Sequence, residues 1–592
     1  MVDLLGLIVK MQILKCSVRL VKLFSNIPKS LVSSSTKGRN YSENGLSYFH
    51  KVGKEPLVYR TIGQQLTHLA NKNGDREAIV AIEENRRLTF NQLQLEADHL
   101  AAGLQRLGLQ RGDRIGIWAP QIVAWPVVLF AAARAGLILV TLNPAYEATE
   151  LEFCLRSVGV KALVAADSFR GKSYHEKLLE IIPELTSTKS GRIQSSKLPD
   201  LTTILIDSEK NYDGTFRLGD ILALPTTSEV LNIEDQQTKI SPDSGCNIQF
   251  TSGTTGKPKA ALLNHYGFVN NAIGVATLEL ESTIVCNQMP FFHITGSLGV
   301  ILGVLSANAT IVIPSIVYNS EKSLYAIQNE ACNVVNGTPA MYVDMINKQK
   351  KMKLKIKPDI AVSAGATCPV QLLKDMKKEI GFKKVKIAYG MTETGITFNT
   401  RPEDEDDQTY ERVGRIQDHI EVKVIDKSGN IVPFGVAGEL CIRGYSNMVG
   451  YWGNNLIDDG SLRTDGWFRT GDNFVLHPNG YGQIVGRLKE LIIRGGENIY
   501  PQEIENLLAT VPQIAEVQII GVPDERLGEE VCAYIRLHQG YESLTVEEVR
   551  DFCNGKIAHF KIPRYVRILK DFPRTQSGKV QKFKLVEMFL QK

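Results

Sequence analysis

The chain has 592 residues, of which 43% are hydrophobic and 22% are charged. A single core seldom serves more than roughly 250–300 residues, so at least two domains are expected. These fractions exclude a disordered or collagen-like chain. With 68 Lys and Arg against 64 Asp and Glu, the net charge of +4 does not favour nucleic acid as a partner. The nine cysteines form no CxxC pair, so neither a zinc site nor a disulfide framework is indicated.

Residues 1–42 hold seven basic residues and a single acid, Asp3. Apolar residues are interleaved with the cations, and a serine run follows at Ser33–Ser35. Acid-poor amphipathic leaders of this kind are typical of organellar transit peptides. The stretch Arg39–Ser42 also resembles a mitochondrial processing site with cleavage after Tyr41. We therefore expect a transit peptide and a soluble protein of the mitochondrial matrix, with a peripheral membrane anchor or a frayed terminus as the alternative.

From about residue 58, patterns of helix and strand alternate along the chain. Apolar residues recur at spacings of three and four from Leu93 to Leu107, which predicts a helix that ends at Gly108. Short β-branched runs predict strands buried on both faces at Arg114–Trp118, Leu137–Leu142 and Val160–Ala165. Such alternation is typical of an α/β layered domain.

The best candidate for a transmembrane span, Ile122–Val140, carries Pro126 and Arg134. These residues argue against a membrane helix. The stretch instead predicts a buried helix that stops at Gly136, followed by a strand, so we expect no transmembrane span.

The pattern changes after the segment 487–490. A helix, two strands, a second helix and a last strand are predicted beyond it, at Pro501–Ala509, Val517–Val522, Val531–Leu537, Val546–Ala558 and Tyr565–Leu569. About one hundred residues are the usual size of a small domain. We therefore expect a large domain at 43–487 and a small α+β domain at 488–592.

The strongest local feature is a polar run that follows the apolar Ile248–Phe250. It consists of Thr251, Ser252, Gly253, Thr254, Thr255, Gly256, Lys257, Pro258 and Lys259. Its glycines allow close backbone approach, and hydroxyl and N–H groups can then surround a phosphate with lysines as counter-charge. The run is not a Walker A loop, because Pro258 occupies the Ser/Thr place. It predicts a phosphate-binding loop of another kind.

This loop resembles the phosphate loop of the adenylate-forming superfamily of acyl-CoA synthetases, luciferases and peptide-synthetase adenylation domains. Other motifs of the superfamily follow in the same order, at Pro290–His293, Tyr389–Thr394, Thr470–Asp472, Gly486–Glu490, Ile493–Ile499 and Pro573–Lys579. Ordered motifs are far more specific than any one of them. The resemblance covers roughly residues 58–590. It implies a large layered α/β domain with mixed and parallel sheets, joined by a hinge to a small α+β domain.

Members of this superfamily join a carboxylic acid to ATP as an acyl-adenylate and release pyrophosphate. Acyl-CoA synthetases then transfer the acyl group to the thiol of coenzyme A and release AMP. The resemblance therefore implies a fatty acid, ATP with Mg²⁺, and coenzyme A as small-molecule substrates and cofactors. The histidines show no HExxH-type spacing, so a protein-held transition metal is not expected.

The resemblance also implies roles for nucleotide-binding residues. Lys579 would bridge the carboxylate and the α-phosphate, where two anions must meet. Asp472 would accept hydrogen bonds from the ribose hydroxyls, with Arg487 beside it, and Tyr389 would stack on adenine. Thr392 would contact phosphate.

Further roles concern the metal, the acyl group and the thiol. Glu393 would hold Mg²⁺ with ATP, as a hard oxygen ligand for a hard cation. Phe292 and His293 would lie at the acyl site, although a core histidine is the alternative for His293. Lys489 would be the hinge, and the turn at Gly495 and Gly496 would line the thiol channel after rotation.

The sequence gives one indication of acyl length. Gly390 lies where short-acid members of the superfamily carry a bulky aromatic side chain, and Gly365 lies in the small-residue loop Ala364–Ala366. A missing side chain at Gly390 would leave room for a longer acyl chain. We therefore expect a medium-chain acid, with aryl and other hydrophobic acids left open.

Alternatives of other classes share part of this pattern. An amino-acid adenylation domain would place an Asp near the segment Phe291–Ile294, which has none. A luciferase-like oxygenase shares the same motifs and is distinguished by a light-emission assay. A non-enzymatic paralogue would be expected to lack Lys579, Glu393 or Asp472, and all three are present.

Overall fold

The computed structural model describes residues 45–251, 258–275, 280–366, 368–401, 403–404, 412–453, 460–495, 497–575 and 578–591. The leader 1–42 and residues 252–257 of the phosphate loop lie outside these ranges. Within the described part of the chain, none of the helices is both long enough and apolar enough to cross a membrane.

The first sheet of the large domain has eight strands. In spatial order they are Phe216–Arg217, Thr203–Asp207, Val160–Ala166, Arg114–Trp118, Ile138–Leu142, Gly245–Thr251, Lys259–Asn264 and Gly450–Tyr451. The first six pair in parallel and the last two antiparallel. The three strands predicted from short β-branched runs are confirmed at its centre, where both faces are covered.

The second sheet has nine strands and carries most of the site described below. In spatial order they are Arg415–Ile416, Gly395–Asn399, Lys384–Met391, Ile360–Ser363, Val334–Gly337, Ile284–Asn287, Thr310–Ile313, Glu77–Ala81 and Arg86–Thr89. The six strands from Lys384–Met391 to Glu77–Ala81 are parallel. Their carboxyl ends therefore lie at one edge of the sheet.

Helices cover both sheets, and one continuous apolar core joins the sheets to the helices between them. The α-helical and π-helical segments of the large domain are Ile62–Asn73, Phe90–Arg106, Ala124–Ala135, Ala148–Ser157, Tyr174–Ile181, Leu218–Ala223, Thr227–Gln236, His265–Val275, Thr295–Val304, Ser320–Asn329, Pro339–Met352, Val370–Asp375 and Met376–Ile380. The helix predicted around Leu93–Leu107 begins with a capping box, in which Thr89 accepts from the Gln92 backbone N–H. The helix Ala124–Ala135 ends at Gly136, whose φ of 72° explains the glycine there.

A third sheet is antiparallel and completes the large domain. Its strands, in spatial order, are Tyr48–Lys51, Ile420–Ile425, Gly438–Gly444, Phe468–Leu476 and Gly482–Arg487. The last strand leads directly into the short 3₁₀ turn Leu488–Glu490. The predicted hinge residue Lys489 is the central residue of this turn, between two sheets.

The C-terminal unit contains a five-stranded sheet, with strands Glu497–Ile499, Ile492–Arg494, Gly528–Leu537, Ile514–Asp524 and Tyr565–Ile568. Its helices are Pro501–Leu508, Val546–Cys553 and Lys582–Leu590. The second helix is shorter than the predicted Val546–Ala558, because Asn554 leaves the helical conformation (ψ 131°). The helix Lys582–Leu590 was not predicted from the sequence.

Arg134 is a fully buried cation that joins four helices of the large domain. Its guanidinium donates to Asp98, to Glu234 Oε2 (2.6 Å), to the Gly63 carbonyl (3.1 Å) and to Thr67 Oγ1 (2.8 Å). Burial raises the pKa of Asp98, while the charge of Arg134 opposes that rise. A buried charge is tolerated only with partners of this kind.

Replacing Arg134 with Met should lower the free energy of unfolding of the large domain by about 3–5 kcal/mol, because Asp98 would stay buried without a counter-ion. The control Glu234→Gln removes the other carboxylate, which is half-exposed, and should cost about 1 kcal/mol or less. Urea unfolding followed by tryptophan fluorescence measures both changes. Similar small losses of unfolding free energy in the two variants would contradict the role of Arg134 as the buried counter-ion of Asp98.

Candidate functional site

The candidate site lies at the carboxyl edge of the second sheet. Four parallel strands end there, and each is followed by a segment that contributes to the site. These segments are Pro290–His293, Thr338, the loop at Gly365, and the strand end Tyr389–Met391. Ligands of open α/β sheets bind outside the carboxyl ends of the strands. The fold therefore collects motifs that are a hundred residues apart in the sequence.

Asp472 is the buried anion at the centre of the site, with 2% of its surface exposed. It accepts a hydrogen bond of 2.6 Å from the Tyr389 hydroxyl and pairs with Arg487 Nε at 2.6 Å. Antiparallel strand pairing places Asp472 directly opposite Arg487. Burial raises the pKa of Asp472, and Arg487 and Tyr389 counteract the rise. The three predicted nucleotide residues thus form one connected group.

Two other aromatic rings pack against the Tyr389 ring of this group. It packs at 5.8 Å from Phe474 and 6.0 Å from Phe398, measured between ring centroids. Aromatic neighbours and the bond to Asp472 hold the ring in one orientation. A planar ligand would therefore meet a pre-arranged aromatic surface.

Glu393 occupies a second position, close to the ends of the phosphate loop. Its Oε1 accepts from the Tyr451 hydroxyl at 2.9 Å, and the Lys259 ammonium lies 5.0 Å from the Tyr451 ring centroid. Thr251 pairs with Lys259 across the loop, so both loop ends are fixed by strands. Thr392 is half-buried next to Glu393. Tyr451 was missed from the sequence, because no motif marks it.

The loop that carries Lys579 reaches the site from the C-terminal unit. Thr575 N–H donates to the Lys579 carbonyl at 2.7 Å, and Lys579 N–H donates to Thr575 Oγ1 at 3.1 Å. Gly578 has a φ of +82°, and a Cβ there would lie 3.3 Å from Thr338 Oγ1 of the large domain. The glycine therefore allows the lysine loop to approach the end of the strand Val334–Gly337.

The charges around Lys579 are those of the nucleotide group and the hinge. Desolvation lowers the pKa of Lys579 and Arg487 lowers it further, whereas Glu490 and Asp472 act in the opposite direction. Burial and the charge of Lys579 together lower the pKa of His293 to about 4, so its imidazole is neutral near pH 7. Lys579 thus acts electrostatically on both predicted ends of the site.

Lys582 ties the segment after Lys579 to the hinge. Its ammonium lies 2.8 Å from Glu505 Oε1 and 3.4 Å from Glu490 Oε2. Glu505 Oε1 also accepts from the Ile519 N–H at 2.8 Å. This ion pair network fixes the start of the helix Lys582–Leu590 against the residue that follows Lys489. Nothing in the sequence motif predicted it.

The reason proposed for Gly390 was wrong. A Cβ at Gly390 would lie 2.1 Å from the Gly395 carbonyl oxygen and 2.7 Å from Ile396 Cα, inside its own hairpin. The missing side chain therefore permits the bulge between Tyr389 and Gly390 instead of opening space for an acyl chain. Gly365 has a φ of +85°, which accounts for a glycine there by backbone conformation.

Two cavities adjoin this edge. One is small and has a mixed lining: Leu263, Phe268, Ile294 and Leu298 on its apolar side, and Asn264, Thr392, Ser446 and Asn447 on its polar side. The second is a cleft with about 470 Å³ of free space between the carboxyl edges of the two large sheets. Phe292 lines it from one side and Arg170, on a tight turn, from the other. Arg170 was missed because its turn has no motif.

The turn at Gly495 lies in the C-terminal unit. Gly495 has a φ of +58°, and its N–H donates to the Leu527 carbonyl at 2.8 Å within the same unit. Gly496 and residues 252–257 lie outside the described residues. The assignment of Gly495 and Gly496 to a thiol channel stays a prediction.

Comparison with known proteins agrees with this geometry. Residues 66–452 match the model of the AMP-binding enzyme family, and residues 503–579 match that of the AMP-binding enzyme C-terminal domain. The chain is 43% identical over 553 residues to the mitochondrial medium-chain acyl-CoA ligase ACSF2 of Macaca fascicularis, covering 92% of this chain and 89% of that protein.

Two solved structures share the fold. ATP-bound MatB from Rhodopseudomonas palustris is 25% identical and superposes with a TM-score of 0.75, over 89% of this chain and 99% of that one. The anthranilate CoA ligase AuaEII in complex with anthranoyl-AMP is 23% identical, with a TM-score of 0.77 over 90% and 98% of the two chains. The predicted fold class is confirmed.

The motifs and the basic leader together predict a resemblance to the mitochondrial medium-chain acyl-CoA ligases in particular. The identity of 43% over nearly the whole chain confirms that resemblance. Both family models, matched in order, cover the large domain and the C-terminal unit. The chain therefore belongs to the family of AMP-binding enzymes.

Proposed function

We propose that this protein is an AMP-forming ligase that joins a fatty acid to coenzyme A in two steps. In the first step the acid carboxylate attacks the α-phosphate of ATP, which forms an acyl-adenylate and releases pyrophosphate. In the second step the thiol of coenzyme A attacks the acyl carbon, which forms the thioester and releases AMP. The observation that carries the proposal is that the Lys579 loop meets the carboxyl edge of the second sheet at Thr338, the edge that also carries the group Tyr389–Asp472–Arg487.

Each part of that group has a role in the first step. Asp472 accepts hydrogen bonds from the ribose hydroxyls, because its carboxylate is the buried acceptor next to the Tyr389 ring. The Lys579 ammonium neutralises the carboxylate and the α-phosphate as they approach, which is where negative charge concentrates in the transition state. Arg487 assists at the ribose and the phosphate. His293, neutral at pH 7, can orient the acid without adding a charge.

The donor set near the phosphate loop fits Mg²⁺ delivered with ATP. Glu393 supplies carboxylate oxygen and Thr392 supplies a hydroxyl, and both are hard oxygen donors of the kind this ion prefers. Among the described residues no group of three or more His, Cys, Asp or Glu side chains is placed to hold a metal ion. Remaining ligands would come from the nucleotide and from water. When bound, the ion would offset the charge of the phosphates.

The small cavity beside Thr392 is the place we propose for the acyl chain. It lies between the helix His265–Val275 and the segment Thr295–Val304, and Leu298 lies on its wall. Its apolar side chains would contact an aliphatic chain, and its polar ones, with Thr392, would lie nearer the carboxylate. The name of the 43% identical relative supports a medium chain length.

The wide cleft lined by Arg170 and by Phe292, which was predicted from the sequence to lie at the acyl site, is the route we propose for coenzyme A. Its walls are mostly apolar, with the cation of Arg170 among the lining residues, which suits a slender thiol arm with an anionic end. Lys579 approaches the same acyl carbon in the first step. We therefore propose that the C-terminal unit turns about Lys489 between the steps, which would bring the turn at Gly495 and Gly496 to the thiol.

Lys579→Ala should slow acyl-adenylate formation by about 10²–10³-fold, the scale of losing one charge partner of the transition state. Thioester formation from supplied acyl-adenylate should persist. Pyrophosphate release and thioester formation measure the two steps separately, with Lys584→Ala as the exposed control on the same segment. An equal loss in both steps would contradict the role proposed for Lys579. In a separate assay, light emission on addition of a luciferin would favour the luciferase-like oxygenase alternative.

Leu298→Ala should shift the preference towards longer acids, because it lengthens the proposed acyl cavity. Each additional buried methylene is worth about 0.8 kcal/mol, or roughly a fourfold gain in kcat/KM. A chain-length series measures the shift. Leu302→Ala is the matched control, since Leu302 is equally buried in the same segment but does not line the cavity. The same chain-length profile in both variants would show that the chain runs elsewhere.

The leader should direct the protein to mitochondria, where its relatives are placed by name. We propose the matrix as the final location. A reporter fused after residues 1–50 should enter mitochondria and be protected from external protease, and the mature chain should begin near Ser42. A reporter in the cytosol would refute the transit assignment, and protease sensitivity would refute the matrix.

A further inference from the structure

A basic surface lies on the large domain, away from the site. Residues 348–386 contain twelve lysines, three acids and no arginine, a net charge of +9 in a chain whose net charge is +4. The basic surface is formed by the exposed lysines of residues 348–357 and 374–384. A charge of this density sets up a strong local field, whatever the net charge of the whole chain.

The first half of the basic surface begins in the last turn of the helix Pro339–Met352, at Lys350 and Lys351. Lys353 ends this helix in the left-handed conformation, with φ 53° and its N–H bonded to the Gln349 carbonyl. Beyond it, Lys353, Lys355 and Lys357 are exposed, whereas the intervening apolar residues are half-buried or buried. The alternation leaves three lysine side chains exposed within five residues.

The second half lies beside the first. The Lys383 and Lys384 N–H groups bond to the Asp359 carbonyl at 2.9 and 3.0 Å, and Glu379 lies 3.9 Å from Lys350. The side chains of Lys378 and Lys383 are 80% and 75% exposed. Lys383 pairs with Asp359 and Lys378 with Glu379, while Lys353, Lys355 and Lys357 present their side chains to water.

The basic surface lies at the amino edge of the second sheet, opposite to the site. Strand Ile360–Ser363 begins beside Lys384 and ends next to Gly365 of the site. Helix Pro339–Met352 begins next to Thr338 and extends about 21 Å over its fourteen residues, and only its last turn contributes exposed lysines to the surface. A large flat partner could bind to the basic surface without covering the entrance to the site.

We propose that this basic surface binds the enzyme to membranes that contain anionic phospholipids. Lysines near such a surface each contribute to binding, and the contributions add without a defined pocket. An apolar acid substrate partitions into lipid, so a surface-bound ligase would lie near its supply. This part of the argument rests on the proposed function, whereas the charge and exposure do not.

Composition favours lipid over nucleic acid. Nucleic-acid sites draw on arginine for paired hydrogen bonds and on aromatic side chains for stacking. Residues 348–386 hold no arginine. Among the described residues from 339 to 391, the large apolar side chains are buried or half-buried, so aromatic faces are not offered to bases. The ammonium groups of lysine, carried on flexible side chains, suit an anionic surface whose charges are not fixed in position.

A footprint on the full chain tests the proposal directly. Lysines are acylated with a water-soluble ester in the presence of vesicles of phosphatidylcholine alone or mixed with phosphatidylglycerol, and modification is read by mass spectrometry. The mixed vesicles should protect Lys353, Lys355 and Lys357, but not the exposed Lys54, Lys189 and Lys427. Reading individual residues separates this surface from the basic leader. Equal protection of both sets, or protection by phosphatidylcholine alone, would overturn the proposal.

Variants give the second measurement. Changing Lys353, Lys355 and Lys357 together to Gln should weaken binding to the mixed vesicles about fivefold per lysine, or about a hundredfold in total. The same change at Lys54, Lys189 and Lys427 is the control and should have little effect. Adenylate formation with a water-soluble acid should be unchanged in both variants, which shows that they fold.

Salt and nucleic acid complete the test. At about 1 M salt, where the screening length is about 3 Å, the protection by mixed vesicles should disappear. Protection that persists at high salt would contradict an electrostatic surface. Protection of the same lysines by duplex DNA or RNA, without protection by vesicles, would also overturn the proposal and assign the surface to nucleic acid.

Discussion

The buried carboxylate of Asp472 is the constraint on which the site depends. A carboxylate with 2% exposure is tolerated only if its oxygens are paired, and Tyr389 and Arg487 supply the two partners. These partners come from different sheets of the large domain. The pairing therefore fixes the antiparallel sheet against the carboxyl edge of the parallel one, and it does so where the nucleotide is proposed to bind.

The same interaction connects the site to the hinge. Arg487 is the last residue of its strand, and the short turn Leu488–Glu490 follows at once. On the far side of the turn, Glu490 is held by Lys582, which lies three residues after Lys579. Lys489 is thus the residue between two anchored neighbours. A rotation centred there would keep the Asp472 group intact on one side and the Lys582 network intact on the other.

Much of this arrangement was predictable from the sequence. Strands buried on both faces were readable as β-branched runs, since periodicity and burial follow from the same pattern. Asp472, Arg487 and Lys579 stand in motifs whose order identifies them. Two further elements of the site had no such signal. Tyr451 and Lys582 act through contacts with residues far away in the sequence, and such contacts depend on tertiary structure alone.

Gly390 shows the opposite failure, in which a motif was recognised and its physical reason was wrong. A glycine can mark space for a ligand or close approach of backbone, and the sequence does not distinguish the two. The structure does, because the Gly395 carbonyl occupies the direction of the missing side chain. The basic surface shows a further limit. A net charge of +4 concealed a local excess of +9.

The central claim is that Asp472 belongs to the charged group facing Lys579 and helps to keep its ammonium protonated. Desolvation and the charge of Arg487 lower the pKa of Lys579, whereas the carboxylates of Glu490 and Asp472 oppose that lowering. Asp472→Asn keeps an acceptor for the Tyr389 hydroxyl but removes the charge. The direct test is kcat/KM for ATP in the adenylation step, measured against pH, since this profile reports groups of the free enzyme. The account predicts that the alkaline limb of this pH profile moves to lower pH in Asp472→Asn, because Lys579 then loses its proton at a lower pH. A limb at the same pH as in the wild type would contradict it.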